Sequence, residues 1–188
     1  MNSSNRLWRA LAAGLRATLN KPNRAQSAAQ PPTGTAQPSP FGVPGPPGWQ
    51  RIRPVPIAEV LARISYSPQA DGRPQPGEVV WAWVPWEEDP SRGKDRPILI
   101  MGSKGDGFYA LQLTSKDHDS RHAEERARGE YWFDLGSGPW DSKGRPSEVK
   151  LHRPLWFPAA GIRREGSYLD RARFDRVVAA LCEAGRDH

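Results

Sequence analysis

Two short polar pairs, each at the end of an apolar run, carry the chemistry this sequence offers. Arg96 precedes Pro97 at the head of RPILIMG, after a polar loop, and Thr114 with Ser115 closes the run FYALQLTS. A guanidinium stays charged at any working pH and grips two oxygens of a phosphate at once. A threonine hydroxyl nearby can donate to a third oxygen or relay a proton. If the two runs pair as a hairpin, Arg96 and Thr114 approach one rim. By spacing alone the same residues also suit a surface ion pair and a turn cap.

Other polar clusters point elsewhere or nowhere. His118 and His122 stand four apart in KDHDSRH (116–122), and on a helix both imidazoles could reach one metal. Their neighbours HAEERARG are so charged that a solvated loop is expected, and no metal site is assigned. His152 alternates with apolar residues and reads as structural; Cys182 reads as packing. There is no Gly-x-Gly-x-x-Gly, no phosphate loop, no Gly-x-Ser-x-Gly elbow and no His-Glu-x-x-His pair. Nucleotide cofactors and the familiar zinc hydrolases are therefore disfavoured, and no cofactor is expected.

The elements that must position Arg96 and Thr114 follow from periodicity. EVVWAWVPW (78–86) is apolar on both faces, as in a strand buried in a barrel. RPILIMG (96–102), the turn SKGDG and FYALQLTS form a hairpin. YWFDL (131–135) and EVKLHRPLWF (148–157) read as two further strands. A helix follows from about Asp170, its cap, to about Ala184, with Phe174, Val177, Val178 and Leu181 on one face. The fold class is mainly β with a C-terminal helix: four or five antiparallel strands in a small closed or half-closed barrel.

The chain has 188 residues, enough for one modest domain and a tail. A single cysteine excludes a disulfide framework, and no apolar run approaches the roughly 18 residues of a transmembrane segment. The formal charge of +6 is uneven. Residues 1–56 hold seven basic residues and no acidic one, against 20 basic and 21 acidic in 57–188. Any nucleic-acid site in the domain must then be a local patch. Residues 1–20 suit an amphipathic helix, with 6–20 able to touch a membrane surface or a partner. Residues 21–56, with ten prolines, read as a disordered linker. A short helix and turn fill 57–76, and 77–185 form the barrel domain. Removing 1–56 is expected to leave that domain intact.

The run PGEVVWAWVPWEEDPSRGKDRPILIM, followed by YALQLTSK, resembles the MazF/PemK family of toxin endoribonucleases. The resemblance rests on Gly77, Glu78 and Val79, on Arg96–Pro97 with Ile98 to Ile100, and on Thr114–Ser115. EVKLHRPLWF and the helix LDRARFDRVVAAL are similar to the family's last strands and terminal helix. It implies an SH3-like barrel, usually a homodimer, that cuts single-stranded RNA without a metal and is held in check by a cognate antitoxin in the cytoplasm. It also implies Arg96 and Thr114 as the catalytic pair, with Trp86, Ser91, Lys94, Ser115 and Lys116 along the RNA. Three carboxylates, Glu87, Glu88 and Asp89, would stand beside that path and repel phosphate. The same barrel kept as a non-catalytic module, binding nucleic acid or protein, is the alternative.

Overall fold

The computed structural model describes residues 43–45, 48–69, 72–115 and 122–186. The helix expected in 1–20 and the linker as far as residue 42 lie outside the described residues. In chain order the elements are β1 (Val43–Pro44), a 3-10 turn (Trp49–Arg51), β2 (Arg53–Pro54) and α1 (Ile57–Leu61). Next come β3 (Glu78–Pro85), β4 (Arg92–Lys104), β5 (Gly107–Thr114) and α2 (His122–Ala127). The rest are β6 (Trp132–Gly136), β7 (Ser147–Lys150), β8 (Leu155–Pro158), a 3-10 turn (Ala159–Gly161), β9 (Ile162–Tyr168) and α3 (Arg171–Ala184).

The strands form one curled antiparallel sheet, a half-barrel, in the order β2-β8-β5-β4-β3-β9. β7 pairs with both β5 and β6, and β1 with β4. Strand alternation explains why it has two cores. Even positions of β3 and β4 (Val80, Ala82, Val84, Ile98, Ile100) join Ala110, Leu155 and Phe157 in one buried cluster. Odd positions (Val79, Leu99, Met101) join Tyr109, Leu111 and Leu113 against α1 and α3 in the other. β3 is buried along almost its whole length, as a strand apolar on both faces must be. The terminal helix starts where the cap predicts: the Asp170 carboxylate accepts from the Arg173 amide at 2.8 Å. Phe174, Val177 and Leu181 are buried on its inner face, with Val178 half-buried beside them.

Three expectations need correction, and one strand was not expected at all. EVKLHRPLWF is two strands, not one, because Pro154 lacks the amide a ladder needs. Both halves still lie along β5, through Leu113↔Val149 and Tyr109↔Trp156. The charged stretch after Thr114 contains α2 where a loop was expected. The polar run Ile162–Tyr168, unread in the sequence, pairs with β3 across a register shift. Finally, the linker ends earlier than residue 56. Arg53 and Pro54 pair with Trp156 and Leu155, Trp49 lies 5.2 Å from Trp83, and Val55 is buried with its amide donating to the Pro154 carbonyl at 3.0 Å. Trp49, Ile52 and Val55 are the apolar residues of this stretch, and each finds a place on the sheet.

Candidate active site

Pro97 opens the site. The β4–β5 ladder runs Ile100↔Ala110, Leu99↔Leu111, Ile98↔Gln112 and then stops. With no amide to donate, Pro97 cannot extend it. β5 turns away and continues against β7 through Leu113 and Thr114. The edge of β4 that β5 leaves is taken at Arg92 and Gly93 by β1. Two steps past the last pair, the same register sets Arg96 and Thr114 on facing banks, on one face of the sheet.

The gap is a groove of about 670 Å³, lined in part by Lys94, Arg96, Gln112, Thr114, Trp132 and Lys150. Small Ala82, paired with Arg96 across β3, leaves the guanidinium room. Arg96 is half-buried, and burial lowers its pKa from the usual value. No hydrogen bond or ion pair among the described residues engages it. Thr114 is buried on the opposite bank.

The walls add charge and aromatic surface. Lys150 is bound to the Glu87 carboxylate and lies 5.5 Å from the Trp132 ring. Burial and the neighbouring Arg153 guanidinium push its ammonium down to about 8. The Glu87 contact opposes that shift without cancelling the desolvation that causes it. Arg153 donates to the Pro85 carbonyl at 3.0 Å and lies 4.0 Å from Glu87. Trp86 lies under the Arg92 guanidinium at 4.5 Å.

Of the residues named from sequence, Arg96, Thr114, Trp86, Lys94 and Ser115 all line the groove. Ser91 does not: its hydroxyl donates to Asp89 at 2.5 Å within the loop. Lys116 lies outside the described residues. Gln112, Trp132, Lys150 and Arg153 line the groove and were missed. The expected wall of three carboxylates also dissolves. Asp89 is turned into its own loop, Glu87 is bound by Lys150, and four cations (Lys94, Arg96, Lys150, Arg153) outnumber Glu87 and Glu88. Among the described residues no group of three His, Cys, Asp or Glu side chains could hold a metal, and none of the four cations is a metal ligand. No described helix is long and apolar enough to cross a membrane.

Such a groove can hold a phosphodiester against two guanidiniums and two ammonium groups, with indoles for bases to lie on. No curated protein matches the chain. A model of the family described as PemK-like, MazF-like toxin of type II toxin-antitoxin system matches residues 75–184, from just before β3 to the last residue of α3. That stretch is more than half of the sequence and contains both banks of the groove, so the chain belongs to the PemK-like, MazF-like toxins of type II toxin-antitoxin systems.

Proposed function

We propose that this toxin is an endoribonuclease that cuts single-stranded RNA without a metal, with Arg96 and Thr114 as its catalytic residues. One observation carries the reading: a half-buried guanidinium with no anionic partner among the described residues, facing a threonine across an open groove. A buried charge left unpaired is costly, so the site is built for an anion that arrives later. The RNA supplies its own nucleophile. Its 2′-oxygen attacks the adjacent phosphorus, a cyclic phosphate forms, and the 5′-oxygen leaves with a proton. Arg96 binds the non-bridging oxygens as their charge grows, and Thr114 donates to one of them. Lys94, Lys150 and Ser115 hold the flanking backbone, and Trp86 and Trp132 offer faces for unstacked bases. An antitoxin segment covering the groove would silence it, and the assembly proposed is a homodimer, which sedimentation would read.

Incubating the purified chain with mixed-sequence RNA in a chelator tests the proposal. Cleavage should persist, and Arg96→Ala should lower it by roughly 10²–10³-fold, the scale of losing one charge-stabilising donor. Intact RNA with the wild-type chain would instead favour the binding module.

A further inference from the structure

The stretch from Gly48 to Pro54 lies outside the family-matched residues, yet it packs on the sheet and builds a second cationic cleft. This cleft, of about 490 Å³, lies between the 3-10 turn, β2 and the β4–β5 turn. Its floor is Trp156. The indole nitrogen donates to the Lys104 carbonyl at 3.2 Å, and Gly107 leaves the ring the space that any side chain would fill. Two guanidiniums share this one ring: Arg51 at 5.3 Å and Arg53 at 4.7 Å from its centre.

The charges do not balance. Arg51 donates to both oxygens of Asp106, at 3.0 and 2.8 Å, and Lys104 pairs with Glu59 at 2.7 Å. Glu59 also accepts from the Tyr109 hydroxyl at 2.6 Å, which holds it in place. Arg53 makes no hydrogen bond or close ion pair with a carboxylate among the described residues; its charge only reaches Glu59, which Lys104 and Tyr109 already engage. Three cations thus face two carboxylates, and two like charges are held on the same indole. The Arg51–Asp106 pair is exposed on both sides, so exchanging Asp106 for another anion costs little. An incoming phosphate would relieve the guanidinium repulsion and accept bidentate hydrogen bonds from either arginine.

We propose that this cleft is a second phosphate-binding site, which takes the backbone of single-stranded RNA away from the cleavage groove. The identity of the polyanion rests on the nuclease reading above; the site itself rests on the cleft. Lys104 ends β4 and Arg96 lies inside it, eight residues away and roughly 25 Å at the usual rise. The second site therefore cannot act on the scissile phosphate. It adds affinity for long strands only.

The test measures the affinity of the full chain for a fluorescent single-stranded oligonucleotide, made uncleavable with 2′-deoxy sugars, as a function of salt. Arg51→Gln with Arg53→Gln should weaken binding at least tenfold and reduce the log–log salt slope by roughly 1.4, the value for two fewer phosphates neutralised on a single strand. The Arg51→Lys, Arg53→Lys variant, which keeps the charges, should restore the slope. A slope unchanged in the glutamine variant overturns the site. So does a slope that falls only together with melting temperature and is not restored by lysine, since the arginines would then merely fasten the chain. If the wild-type chain cuts RNA but the glutamine variant shows no slope change, the second site alone falls; a chain that neither binds nor cuts brings down both readings.

Discussion

Lys150 carries a charge that mildly alkaline pH can remove. Its ordinary value is 10.5, and in the groove it falls to about 8 under burial and the Arg153 charge. As pH rises through 8 the groove loses one of four cations, so RNA affinity should fall across the unit on either side of that value. Lys150→Arg, charged throughout, should abolish the fall, which fluorescence titration against pH would read. The stability effect has its own sign. Between 8 and 10.5 the unfolded chain holds this proton and the folded chain does not, so stability from this group rises with pH in that window and is opposed below it. A melting temperature that ignores pH there in the wild type would place the ammonium in water. Period two was visible in Glu148, Lys150 and His152 set against Val149 and Leu151; which face meets a groove was not, because that depends on where β5 parts from β4. Ser91 shows the converse. Asp89 two residues earlier is an Asx-turn signal that was legible and outweighs proximity to Trp86.

Among elements, strands with strong apolar patterns were legible from sequence, and those held by their neighbours were not. β3, β4, β5 and α3 announce themselves by period and capping. β9 is polar, short of apolar alternation, and exists because β3 has an edge to fill. The same holds for β2, two residues in a proline-rich run, whose partner β8 is distant in sequence. This revises what truncation should do. Val55 and Ile57 are buried in the main core, and Trp49 packs on Trp83, so residues 48–57 are part of the domain. Deleting 1–56 should cost about 2–4 kcal/mol through the loss of this packing and lower Tm by several degrees. Trp49→Ala alone should cost about 1 kcal/mol. An unchanged Tm after deleting 1–56 would mean that β2 and the Trp49 contact contribute nothing measurable.

At the scale of the whole chain, charge is divided between two tasks. Residues 57–188 are almost neutral, so their field cannot draw RNA from a distance, although the groove is locally positive once RNA arrives. Residues 1–42 hold Arg6, Arg9, Arg16, Lys21 and Arg24 with no acid. On the nuclease reading, this run of positive charge would raise the rate of RNA capture at low salt. Deleting 1–42 should therefore leave kcat unchanged while lowering kcat/KM several-fold at low salt. The two chains should converge as salt approaches ~1 M, where the Debye length shrinks to about 3 Å. If both proteins instead show the same kcat/KM at low salt, the tail's charge plays no part in capture, and the groove with the Arg51–Arg53 cleft must recruit RNA unaided.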